Sequence, residues 1–140
     1  MSLQVKGLSH ITFMCKDLEK TSQMFKGVFG AEEVYCSGDK PFSIAKEKFL
    51  KVAGIWIALM EGEPVEKTYN HVAFQVSDQE LAEFEAKVCS FGLTILPGRK
   101  REGAEGRSLY FYDYDNHLLE LHTGDLEARL LFYFDKDRRN

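Results

Sequence analysis

The chain has 140 residues, 44% of them hydrophobic and 29% charged, and a net charge of −4. That length suits one domain, or two small halves sharing one core. The acidic balance excludes the basic surface that nucleic acid or an anionic membrane would need, and no run approaches the roughly 20 apolar residues of a membrane-spanning helix.

The opening MSLQVKG lacks the long apolar stretch of a secretory signal. Cys15, Cys36 and Cys89 are widely spaced and form no CxxC pair. Together these predict a cytoplasmic protein whose thiols stay reduced and serve packing rather than ligation.

In chain order, the first element is a strand. From Leu8 the residues alternate, with Ile11 and Phe13 facing one way and His10, Thr12 and Met14 the other. KDLEKTSQMFKGVFG follows as a helix. Asp17 is its N-cap, Leu18, Phe25, Val28 and Phe29 its apolar stripe, and Gly30 its end. Three strands are expected next, around Glu33–Ser37, Phe42–Glu47 and Gly54–Met60, with SGDK at Ser37–Lys40 as a turn. The polar segment about residues 62–68, which contains Pro64, reads as a linker.

The same order then recurs. Asn70–Val76 alternates, with Val72, Phe74 and Val76 on one face and His71, Ala73 and Gln75 on the other. SDQE at Ser77–Glu80 predicts a capping box, and Leu81–Val88 a helix closed by Gly92. Strands are expected near Leu93–Leu96, Ser108–Tyr112 and His117–His122, with DYDN at Asp113–Asn116 as the hairpin turn. A last helix is expected from about Leu126 to Phe134.

The pattern is βαβββ written twice, in an α+β fold. Module one covers about residues 7–61 and module two about 69–123, followed by the C-terminal helix at about 126–134, all within one domain spanning 1–140. Two such modules side by side would make a curved mixed sheet, with helices on the convex face and a cleft inside. Strand parity then sends His10 and His71 into that cleft from equivalent positions. In NHLLELH, Leu119 and Leu121 should face the helices, which leaves Glu120 and His122 facing the cleft. Glu120 is the preferred third ligand, His117 reads as a turn residue, and the role of His122 stays open. The matching strand Ile55–Met60 carries no ligating side chain. Two histidines and one carboxylate, with positions left for water or substrate, suit Mn²⁺, Fe²⁺ or another divalent ion acting as a reagent.

LSHITF, YNHVAF and SLYFYDYDNHLLELHTGDLEARL resemble the vicinal oxygen chelate superfamily, and within it the fosfomycin-resistance enzymes, over nearly the whole chain. The resemblance implies a homodimer of interleaved βαβββ modules, with His10, His71 and Glu120 as ligands of Mn²⁺ or another divalent metal. The stretch SGDKPFSIAKEKFLKVAGIWIALMEGE is similar to the water-adding, FosX-type branch. There Glu47 matches the general base of an epoxide hydrolase. On the residues alone, Glu47 reads instead as a solvated edge-strand carboxylate between Lys46 and Lys48.

The implied substrates are fosfomycin, a small epoxide bearing a phosphonate, and water. The implied product is a vicinal diol and the implied outcome antibiotic resistance. Lys100, Ser108, Tyr110 and Arg129 carry over as phosphonate-side residues and Thr12 as a neighbour of the metal, while Trp56 is a candidate pocket wall. Where relatives have a further serine, this chain has Ala104. Three alternatives stand beside this expectation: a thiol transferase using glutathione or bacillithiol on the same scaffold, an extradiol-type dioxygenase, and a metal-free drug-binding protein.

Overall fold

A computed structural model describes residues 2–39, 43–98 and 106–139. It divides into two units, Met1–Val65 and Glu66–Asn140, at a boundary inside the polar segment around Pro64. Among the described residues, no helix is long and apolar enough to cross a membrane.

The first unit contains β1 (His10–Cys15), α1 (Leu18–Phe29), β2 (Glu32–Cys36), β3 (Glu47–Val52) and β4 (Ile55–Glu61). Its sheet has the order β1-β4-β3-β2, with β1 parallel to β4 and the remaining pairs antiparallel. The carboxylate of Asp17 caps α1 by accepting from the Lys20 N–H at 3.0 Å. Gly30 ends the helix at φ 66°, a left-handed conformation that a residue with a Cβ adopts at a cost. Met24, Phe25 and Val28 of α1 are buried, as are Phe13, Leu50, Ile57 and Leu59 of the sheet. Burying each such side chain contributes about 1.5–3 kcal/mol.

The strand expected at Phe42–Glu47 is displaced. Residues 40–42 lie outside the described residues, 43–45 form bends, and the strand begins at Glu47. The physical reason is Lys48, a charge on the helix-covered face whose side chain is only 10% exposed. Its ammonium lies 2.6 Å from Glu19 Oε2 and 3.1 Å from Glu33 Oε1. Lys26 and the Ser22 hydroxyl also reach Glu33 Oε1, each at 3.1 Å. A lysine facing the core hides the period-2 pattern that would otherwise mark this strand.

This network makes a prediction. Burial pushes the Glu33 carboxyl up, but hydrogen bonds from Lys48, Lys26 and Ser22 outweigh it and hold the group below the usual glutamate value. Burial likewise pushes Lys48 down and is outweighed by its hydrogen bonds to Glu19 and Glu33, leaving it raised. Because the folded Glu33 value is depressed, its contribution is present above the ordinary carboxylate range and lost as pH falls through the folded value. Lys48→Met is expected to cost about 1–2 kcal/mol in urea unfolding at neutral pH. The gap between wild type and variant should close as the solution is acidified. A gap independent of pH would mean that Lys48 acts through packing alone.

The second unit contains β5 (His71–Gln75), α2 (Leu81–Ser90), β6 (Ser108–Tyr112), β7 (Leu118–His122) and α3 (Leu126–Arg139). Its sheet has the order β5-β7-β6, with β5 parallel and β6 antiparallel to β7. Two expectations are corrected here. Leu93–Leu96 makes one bridge, Ile95 to Phe111, rather than a strand, and Pro97, which has no N–H, follows at once. At Ser77–Glu80 the Glu80 N–H is taken by the Ser77 carbonyl at 3.1 Å, in a 3₁₀ turn over Asp78–Glu80, so the Ser77 hydroxyl makes no cap bond. Helix α3 runs one turn past its expected end, to Arg139.

Candidate metal centre and active site

Register sorts the candidates by face. In the first unit His10 pairs with Trp56 and Trp56 with Lys51, Thr12 with Ala58 and Ala58 with Phe49, and Met14 with Met60 and Met60 with Glu47. Directly paired residues share a face. His10, Thr12, Glu47 and Trp56 therefore lie together on the side of the sheet opposite α1. The His10 ring packs against Trp56 at a tilt of 32° with centroids 4.2 Å apart, and Trp56 meets Phe49 edge-on at 5.1 Å. His10 Nδ1 sits 2.9 Å from the Ser9 hydroxyl. Trp56 is 37% exposed, so it is not a core residue.

Glu47 stands two strands from β1 and opens β3, an interior strand. It is 7% exposed, so it is not a solvated edge carboxylate. Neither neighbouring lysine serves it. Lys46 pairs with Asp39 at 3.0 Å, and Lys48 points to the opposite face.

In the second unit the register places His71, Ala73, Glu120, His122, Ser108 and Tyr110 on one face. Together with Tyr69 and Arg129, most of them line one cavity of about 330 Å³. His71 Nδ1 lies 2.7 Å from the Tyr69 carbonyl. A carbonyl only accepts, so Nδ1 carries the proton. In the neutral ring, Nε2 then presents a bare lone pair, and it faces Glu120 Oε1 at 3.1 Å. Two electron-pair donors at that distance repel unless a cation is shared between them. This donor set fits a divalent ion, with Tyr69 fixing the tautomer that ligation requires. Among the described residues, no three His, Cys, Asp or Glu side chains of the single chain form a metal-holding group.

Glu120 is buried, and its other oxygen, Oε2, accepts from the Ser108 hydroxyl at 2.6 Å. Burial pushes the Tyr110 phenol far above its usual value, and hydrogen bonding with Tyr69 and the charge of Glu120 add to the shift. Tyr110 is thus a permanent O–H donor at working pH. Arg129 reaches back from α3 to within 3.2 Å of His122 Nε2. His117 lies outside the cavity, its Nδ1 2.9 Å from Asp113 Oδ2 in the hairpin turn.

Lys100, with Arg99, Arg101 and Ala104, lies outside the described residues. Arg107, at the end of the basic segment, is committed to Asp78 Oδ1 at 2.7 Å. Gly106 beside it has φ 79°, and a Cβ there would come within 2.8 Å of the Gly124 backbone nitrogen. The close approach holds Gly106 and Arg107 against the chain leaving β7. Sequence reasoning missed Tyr69 as a site residue. Its signal was its place two residues before His71, where a backbone carbonyl can reach the ring.

The chain matches the Glyoxalase/Bleomycin resistance protein/Dioxygenase superfamily over residues 7–121, and it belongs to that superfamily. The α+β architecture of its described residues, with two sheets and three helices, is the fold of that class. It is 55% identical to the fosfomycin resistance protein FosX of Listeria innocua over 130 residues, 92% of this chain and 98% of that protein. To FosX of Listeria monocytogenes it is 52% identical over 132 residues, 94% of this chain and 99% of that protein. A crystal structure of a mutant of the Listeria monocytogenes protein, complexed with Mn(II) and 1S,2S-dihydroxypropylphosphonic acid, superposes with a TM-score of 0.85. That similarity is at 49% identity and covers 93% of this chain and 99% of the other.

Proposed function

We propose that this protein hydrolyses the epoxide ring of fosfomycin to a vicinal diol, and so confers resistance to the antibiotic. The observation that carries the reading is the His71 Nε2 lone pair facing Glu120 Oε1 at 3.1 Å, in a cavity that also holds Tyr110 and Arg129. The relatives at about half identity, one of them bound to Mn(II) and a dihydroxypropylphosphonic acid, support the same chemistry.

His10, His71 and Glu120 would hold the divalent ion, Mn²⁺ on this reading. When bound, it supplies Lewis-acid stabilisation of the negative charge that grows on the epoxide oxygen. Glu47 takes a proton from water as the water oxygen attacks a ring carbon. The C–O bond breaks, its electron pair stays on oxygen, and a proton from solvent completes the diol. Tyr110, Arg129 and Lys100 donate hydrogen bonds to the phosphonate, Ser108 stands on the same side, Thr12 neighbours the metal, and Trp56 walls the pocket. The working unit is a homodimer with interleaved modules. It acts in the cytoplasm, a compartment that keeps the free thiols of Cys15, Cys36 and Cys89 reduced.

Phosphorus NMR tests the reading. Fosfomycin incubated with the protein and Mn²⁺, without thiol, should convert to the diol. Formation of an adduct only after glutathione or bacillithiol is added would assign the nucleophile to a thiol instead. An inert drug under both conditions would discard fosfomycin as the substrate.

A further inference from the structure

We infer that His122 and Ser108 are positioning residues for Glu120, the middle members of a hydrogen-bond chain that starts at Arg129 and sets which carboxylate oxygen faces the ion. The inference rests on the metal-centre reading above and concerns how this chain builds that centre.

Donor and acceptor rules fix the direction of every link. Arg129 Nη2 lies 3.2 Å from His122 Nε2, and a guanidinium can only donate, so Nε2 accepts. His122 Nδ1, 2.7 Å from Ser108 Oγ and 3.4 Å from Glu120 Oε2, must then carry the proton and donate it to the nearer oxygen, Oγ. Ser108 has one hydroxyl hydrogen, and with Oγ already accepting, it is directed to Glu120 Oε2 at 2.6 Å. Ser108 holds Oε2, Oε1 faces His71 Nε2 at 3.1 Å, and the Tyr110 hydroxyl is also hydrogen-bonded to this carboxylate. Carboxylate, hydroxyl and imidazole are thus aligned in one direction by a cation on α3.

The repeat provides an internal control. Both sheets pair a parallel strand, a central strand and an antiparallel neighbour in the same register. Where the second unit has Glu120, His122 and Ser108, the first has Ala58, Met60 and Glu47. The scaffold therefore does not require an imidazole and a hydroxyl at these positions. They occur on the sheet that carries the ligand carboxylate. A residue serving only the fold would not be expected to follow the ligand in this way. The assignment also commits the Ser108 proton to Glu120.

The test is Mn(II) affinity of metal-free full-length protein, read from the free-ion EPR signal. Wild type, Ser108→Ala, His122→Leu, the double variant and Ser108→Thr would be titrated, with thermal unfolding run on each. Loss of an outer hydrogen-bond partner typically weakens a metal site by about 10–100-fold, and each single variant is expected in that range. Since both act through one chain, the double variant should bind no more weakly than the weaker single. Ser108→Thr, which keeps the hydroxyl, should return to within about threefold of wild type. Wild-type affinity in Ser108→Ala overturns the inference, as does a double variant whose losses multiply. If His122→Leu fails to fold, the Ser108→Ala and Ser108→Thr pair decides. Wild type that holds no Mn(II) overturns the metal-centre reading, and the inference with it.

Discussion

Glu47→Gln is expected to keep Mn(II) and fosfomycin binding while losing about 10²–10⁴-fold in turnover, the usual worth of a positioned general base. The substitution is nearly isosteric, so the strand start and the surrounding packing should be preserved. The Glu47 N–H donates to Ser37 Oγ at 3.0 Å and its carbonyl accepts from the Ser37 N–H at 3.0 Å, so the backbone is pinned without help from the carboxylate. The side chain's register neighbours are Met60 and, beyond it, Met14. This carboxylate is costly to bury and is offset by neither adjoining lysine, which is the signature of a group retained for chemistry rather than stability. Diol formation followed by phosphorus NMR, with Mn(II) binding measured on the same sample, checks the split. A variant with full turnover removes Glu47 as the base.

His71→Ala is expected to weaken Mn(II) binding by more than the roughly 100-fold upper range for an outer partner, because it deletes a ligand itself. It also leaves the buried Glu120 without the nitrogen it faces at 3.1 Å. The Tyr69 carbonyl then has no ring to orient. Metal content after dialysis against Mn(II), by elemental analysis, reads the result directly. An unchanged content would sink the ligand assignment of His71, whatever happens to activity. Fold should be little affected, since His71 is exposed at the first position of β5.

Much of the fold was legible because local rules and tertiary needs agree in most elements. Asp17 and Gly30 bound α1 as their chemistry demands, and alternation through His10–Cys15 and His71–Gln75 marks half-buried strands. β3 was misplaced because Lys48 occupies a core-facing position, made tolerable only by Glu19 and Glu33 from elsewhere in the sequence. The same difficulty hid the polar chain behind Glu120. Parity can place His122 on the same face as Glu120, but the direction of a hydroxyl proton depends on Arg129, which arrives from α3. Tyr69 escaped notice because it acts through its carbonyl, and side-chain patterns carry no information about that.

The two carboxylates that the proposed mechanism uses differently lie on different sheets, Glu47 on the four-stranded one and Glu120 on the three-stranded one. Each sheet has its own buried apolar residues and its own polar supports. Drift at the start of β3 would therefore leave the His71–Glu120 pair and its supports intact. A lineage built on this scaffold could exchange one nucleophile for another in small steps, keeping its grip on the ion throughout.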